Sequence, residues 1–145
     1  MDIKVRYMGG KKFEMTARNH QVLSDQPFDN DGDDEAMTPP ELFLGSLGAC
    51  AAYYAVEYLK ARGLPNEDVE IQVSATKGSR PARIVSLRLD VIAPGLNQRH
   101  RDGILRAVDV CLIKNTLTVP PQIETRVLGS DETGTEEPAP ALASL

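Results

Sequence analysis

The run from Thr38 to Pro65, TPPELFLGSLGACAAYYAVEYLKARGLP, decides the architecture. Thr38-Pro39-Pro40-Glu41 has the form of a helix start. The Thr38 side chain can accept from the Glu41 backbone N–H while the Glu41 carboxylate reaches back, a capping box. Proline is tolerated in a first turn, where no intrahelical donor is needed. The spacing predicts a helix to about Arg62, with Gly63 as a left-handed cap and Pro65 blocking continuation. Such a helix is about 33 Å long. No charge follows Glu41 until Glu57, so most of the circumference is expected to be buried. Gly45, Ser46, Gly48, Ala49, Ala51, Ala52 and Ala55 are small, so a neighbouring element can come close. Glycine inside a helix costs about 1 kcal/mol relative to alanine, and close packing is the compensation expected.

Working outward, Ile3, Val5 and Tyr7 alternate with polar residues and read as a strand. Gly9-Gly10-Lys11-Lys12 signals a hairpin, Phe13 to Thr16 the returning strand, and Val22-Leu23-Ser24 a third. Asp25 to Met37 is acidic and reads as a solvated loop. Beyond the helix, Ile71 to Ala75 and Val85 to Val91 alternate, separated by a loop from Thr76 to Arg83. Asn97 to about Val110 reads as an amphipathic helix with Ile104, Ala107, Val108 and Cys111 on one stripe. Arg99, His100, Arg101 and Arg106 form its solvated face. Ile123 to Leu128 is expected to be a last strand. The order of elements indicates an α+β fold. One domain is expected over residues 1–129, with a disordered Gly, Pro, Ala and acidic tail over 130–145.

A chain of 145 residues can bury one core without staples. Its net charge of -5 argues against nucleic acid, which calls for clustered Lys and Arg. No stretch is read as a membrane span, and the uncharged run Leu42 to Val56 is taken as a core helix. MDIKVRYMGG has no apolar signal segment, so a cytoplasmic location is expected, where thiols are kept reduced. Two cysteines and two histidines lack metal-ligand spacing, so no metal is expected.

Cys50 falls near the middle of the long helix and Cys111 at or near the end of the second. Cysteine is commonly a small core hydrophobe, and each sulfur taken alone fits that role. The helical stripes also permit the two to face each other. A facing pair could reduce a peroxide: one thiolate becomes a sulfenic acid, and the second thiol condenses with it. An external reductant then restores the dithiol. The attacking sulfur must be a thiolate near neutrality, although a free cysteine titrates at about 8.5 and burial raises that further. A nearby cation is needed.

Two segments resemble the OsmC/Ohr family, the osmotically inducible and organic hydroperoxide resistance proteins. Thr38 to Cys50 is similar to the family's Pro-Glu-Leu-small run into a cysteine on a central helix. Cys111-Leu112-Ile113-Lys114-Asn115-Thr116-Leu117 is similar to its second-cysteine segment. The resemblance implies an intertwined homodimer with a strongly curved antiparallel sheet wrapped around the central helices. It implies a thiol peroxidase, a peroxiredoxin-like antioxidant stress-response activity on organic hydroperoxides. Cys50 would be peroxidatic and Cys111 resolving, with no cofactor beyond an external dithiol or lipoyl reductant. Family enzymes also use an N-terminal arginine and a glutamate ten residues before the first cysteine. Arg18 fills the first role by resemblance to a less studied branch. The second position is Pro40, with Glu41 one residue, or about 100° of helix, further on. Glu41 and His20 are possible supporting groups. Leu112 stands where the family usually has proline, so the second helix is expected to be able to run through Cys111. Tyr53, Tyr54 and Tyr58 suggest core packing or dimer contact. The alternative to an enzyme is a lipophilic-ligand-binding or redox-switch protein on the same scaffold.

Overall fold

In the computed structural model, residues 1–129 are described; the tail expectation for 130–145 lies outside the described residues. Strands β1 (Lys4–Gly9), β2 (Lys12–Ala17) and β3 (His20–Ser24) form one antiparallel sheet in sequential order. Gly9 and Gly10 take φ of 103° and 56°, the left-handed region that glycine enters freely, and so turn β1 into β2. The register pairs Tyr7 with Phe13, whose ring centroids lie 5.7 Å apart. Helix α1 (Pro39–Lys60) follows, then a hairpin of β4 (Glu70–Ser79) and β5 (Ala82–Ile92), helix α2 (Gln98–Val108) and a short helix α3 (Leu112–Thr118). The architecture is α+β, as the alternation of periods indicates.

The capping box forms as read. Glu41 Oε2 accepts from the Thr38 backbone N–H at 2.7 Å and the Thr38 hydroxyl at 2.8 Å, and the Glu41 N–H donates to Thr38 Oγ1. The helix closes at Lys60, two residues before the expected end, and Gly63 takes φ of 62° beyond it. Leu47, Ala51, Ala55 and Leu59, each four apart, form the buried stripe. Ile104 and Val108 of α2 meet it, and Val69, Ile71, Leu89 and Val91 of the hairpin region pack around it. Burying a leucine such as Leu47 or Leu59 stabilises by about 1.5–3 kcal/mol. Small residues set the spacing. A Cβ at Gly48 would lie 3.0 Å from Val73 Cγ2, so β4 sits tightly there. A Cβ at Gly103 would lie 2.0 Å from the Tyr58 hydroxyl, so α2 crosses α1 at that glycine.

Several expectations need correction. Helix α1 is buried along one stripe, not most of its circumference: Gly45, Ser46, Ala49 and Tyr53 are exposed. Nothing lies within 4 Å of a Cβ at Gly45, so its helix cost has no close packing to offset it inside this chain. Pro39–Lys60 is long and apolar enough to cross a membrane, a test that a core helix also passes, and here Leu47, Ala51, Ala55 and Leu59 are core. The β4–β5 strands run through Lys77 and Gly78, so the connection is a tight turn at Arg80-Pro81 and not an eight-residue-scale loop. Ile123 to Leu128 forms no strand, and Ile123 and Val127 are 88% and 94% exposed. A strand exists only by pairing, and no strand among the described residues pairs with that segment.

The acidic loop is not mere solvated spacer. Asp25 is 1% exposed. Its Oδ1 accepts from the Gln26 N–H at 2.8 Å, and its Oδ2 from those of Asp33 and Glu35 at 3.2 and 3.1 Å. Gly32 allows the fold-back, since a Cβ there would meet the Gln26 carbonyl oxygen at 1.8 Å. Lys12 on β2 ties the loop down, bridging Asp33 at 2.9 Å and Glu35 at 2.5 Å. Burial pushes the Asp25 carboxyl upward, but the amides of Glu35, Gln26 and Asp33, with Lys12 nearby, outweigh it and leave its pKa below the ordinary value. A depressed carboxyl stabilises the fold above its unfolded pKa of about 3.9 and loses that contribution as pH falls through the lower folded value. Urea midpoints measured from pH 5 to 2 should therefore fall for the wild type. Asp25→Asn should be less stable at pH 5 and show a flatter acid limb; parallel curves for the two proteins would show that Asp25 does not set it.

Candidate functional site: a thiol pair between α1 and α3

Helix α2 does not run through Cys111. It closes at Val108, with Asp109 as its C-cap, and Cys111 is extended, at φ -60° and ψ 122°. The Cys111 N–H donates to the Val108 carbonyl at 3.1 Å, and the Cys111 carbonyl accepts from Asn115 at 2.9 Å to open α3. This break turns the Cys111 side chain into the core, where it is wholly buried. Cys50 lies on the same helix as the buried stripe, one residue before Ala51, and is half-buried. The two thiols meet: Cys111 Sγ donates to Cys50 Sγ across 2.6 Å, and both cysteines are free.

The pair is asymmetric. Burial pushes the Cys111 thiol above its ordinary value, and its contact with Cys50 adds to this, while the N–H groups of Lys114 and Ile113 oppose it in part. Cys111 is thus held as a protonated thiol near neutrality. Cys50 is the less buried residue of the two.

The other candidates stand apart. Arg18 occupies the two-residue β2–β3 turn at φ 54°, exposed and with no side-chain hydrogen bond or ion pair among the described residues. His20 opens β3, paired with Ala17 and exposed. Glu41 is committed to Thr38; those bonds hold its pKa below the ordinary carboxyl value. The structure brings none of these three to the sulfurs. Sequence reasoning missed α3, and with it the amides beside Cys111. It also missed the Arg62 guanidinium stacked 3.7 Å over the Tyr58 ring, and Tyr58 facing His100 Nδ1 at 3.3 Å. The first has the i,i+4 spacing that makes helix neighbours and so was open to sequence reasoning; the second leaves no local signal. Beside α1 an open groove of about 370 Å³ is lined by Leu44, Gly45, Gly48, Ala49, Ile71 and Val73.

A profile of the OsmC-like protein family matches residues 32–126, a span that contains both cysteines. The chain belongs to the OsmC-like family. Solved structures agree in fold. A putative osmotic stress induced and detoxification response protein from Psychrobacter arcticus superposes with a TM-score of 0.72 at 19% identity, over 79% of this chain and 85% of that one. An OsmC-like protein from Mycoplasma pneumoniae gives 0.67 at 17% identity, over 81% and 86%. An organic hydroperoxide resistance protein from Elizabethkingia anophelis gives 0.60 at 18% identity, over 80% and 88%. No curated protein sequence matches.

The adjacency predicts rapid internal pairing. Titration with diamide should take two free thiols per chain to none, with a reducible shift in electrophoretic mobility and no intermolecular product. Cys111→Ser should keep one titratable thiol. A wild type that yields only intermolecular disulfides would refute the arrangement.

Proposed function

We propose that this OsmC-like protein is a thiol peroxidase that reduces organic hydroperoxides, with Cys50 peroxidatic and Cys111 resolving. The observation that carries the reading is the 2.6 Å contact between a half-buried and a fully buried sulfur. The Cys50 thiolate attacks the outer oxygen of the peroxide; the O–O bond breaks, and the alkoxide leaves and takes a proton to become the alcohol. Cys50 is then a sulfenic acid. Cys111 attacks its sulfur, the S–O bond breaks, and water leaves as the disulfide forms. A small dithiol or lipoyl group returns both sulfurs to thiols by exchange and is itself oxidised to a disulfide. A resolving thiol kept protonated and shielded until the sulfenic acid forms is itself spared oxidation by peroxide.

The activating cation we assign to Arg18, and the assembly to a homodimer. The first sheet has no extended packing on α1, β4 or β5 of its own chain, and Val5, Tyr7, Val22 and Leu23 are 46–63% exposed. Uncovered apolar surface on that sheet and beside Gly45 calls for a second copy, which buries both. Arg18 makes no contact with the thiols of its own chain, so it would act on Cys50 across that interface. The protein works in the cytoplasm, where reductant is at hand, and takes no resident cofactor or metal.

Cumene hydroperoxide consumption with dihydrolipoamide tests the chemistry. Turnover should vanish in Cys50→Ser, and Cys111→Ser should consume one equivalent and trap a dimedone-reactive sulfenic acid. Arg18→Ala should raise the pH at which Cys50 reacts with iodoacetamide and slow turnover by about 10²-fold. Wild-type consumption that stops at one equivalent would instead favour a redox switch. Light scattering should give twice the 15.8 kDa chain mass; a monomer at micromolar concentration would rule out the cross-subunit role of Arg18.

A further inference from the structure

On the outer side of the α1–α2 crossing lies a cleft of about 400 Å³, lined by Tyr58, Arg62, Arg99, Gly103, Arg106 and Val110 along with Ala107. Three guanidinium groups line it and no carboxylate does, in a chain whose net charge is -5. The nearby acids are engaged elsewhere. Glu57 pairs with Lys60 at 3.4 Å, Asp102 accepts from Gln98 Nε2 at 2.8 Å, and Asp109 pairs with Lys114. The Arg99 and Arg106 side chains are exposed and have no hydrogen-bond or ion-pair partner among the described residues. Arg101, read from sequence as part of the same solvated face, turns away and donates to the Leu96 carbonyl at 3.3 Å.

The cleft is built and not incidental. Arg62 donates to the Tyr58 carbonyl at 3.1 Å while lying over its ring, so one guanidinium is fixed before any ligand arrives. Tyr58 is in turn fixed by His100 and by contact with Gly103. Gly103 leaves the floor clear between Arg99 and Arg106. Those two are two helical turns apart, a rise of about 10.5 Å. A single carboxylate is satisfied by one guanidinium fork. Three forks spread over that distance suit several tetrahedral anionic groups in series.

We propose that this cleft binds a small phosphate-bearing anion with at least two linked phosphate groups, for which pyrophosphate is the minimal form. The site is independent of the thiols in its chemistry. Val110 nonetheless lines it, and Cys111 follows in the chain, so a bound anion sits one residue from the resolving sulfur.

The test is isothermal titration calorimetry of the protein, in the assembly it forms in solution, with pyrophosphate, ATP and citrate at low and at physiological ionic strength. Pyrophosphate and ATP should bind with 1:1 stoichiometry per chain, and salt should weaken both. Arg99→Gln and Arg106→Gln should each weaken pyrophosphate by about tenfold, because each removes a charge-assisted pair. Arg101→Gln, which faces away, should bind like the wild type, and so should Cys50→Ser, which separates this site from the peroxidase reading. The Arg99 and Arg106 side chains are exposed and without partners among the described residues, so circular dichroism should show their variants folded. Absence of binding, wild-type affinity in Arg99→Gln or Arg106→Gln, or citrate binding as tightly as pyrophosphate would overturn the assignment.

Discussion

Everything in this molecule is arranged by the stripe Leu47, Ala51, Ala55 and Leu59 on α1. It alternates bulk with near-absence of bulk. The leucines give the core its volume, and the two alanines between them let α2 approach until Ile104 and Val108 are sealed against the helix. Gly48 does the same on the hairpin side, under Val73. Interiors are close-packed, so an added methylene at such positions forces neighbours to shift by more than the fold tolerates cheaply. The sulfur pair is a consequence of this spacing. Cys50 precedes Ala51, and the chain leaving α2 must cross α1 at the height that α2 itself has fixed.

The break after Val108 converts that crossing into chemistry. Were α2 to continue, residue 111 would remain on the helical stripe, with its sulfur held at helix-to-helix distance. Instead Cys111 is extended and α3 begins at Leu112, which lowers the side chain into the core and brings the sulfurs to 2.6 Å. Burial keeps Cys111 in the thiol form, whereas Cys50 is less buried. One scaffold therefore supplies two environments to two identical functional groups, which is the condition for distinct roles.

What was legible in the sequence was local. The α1 cap could be read because Thr38 and Glu41 satisfy one another within one turn, and the β1–β2 hairpin because Gly9-Gly10 supplies positive φ. The long-range features were not. Asp25 looks like any other acid in an acidic run; its partners are amides eight and ten residues away, chosen by a fold-back at Gly32. The facing of Cys50 and Cys111 was permitted by periodicity and required coordinates. The segment Ile123 to Leu128 has strand-like composition and no strand, because composition offers residues that fit a sheet and cannot provide the sheet. The end of α2 was misjudged for a related reason: no proline follows Cys111 to mark a stop, yet the chain leaves the helix over Asp109 to Cys111 before α3 begins at Leu112.

The exposed apolar surface carries the remaining argument. A helix with the hydropathy of α1 is normally covered all round, yet here one side is dressed by α2, α3 and the hairpin while Gly45, Ala49 and Tyr53 face outward. The three-stranded sheet shows the complementary deficit, with apolar side chains and no helix beneath them. Two uncovered surfaces of one chain, one helical and one sheet, are each a poor solution in water, and covering them removes both costs at once. In the homodimer proposed above, the same event would bring the Arg18 turn between β2 and β3 toward a helix of the other copy. Stability of the assembly and polarity around Cys50 would then share one cause.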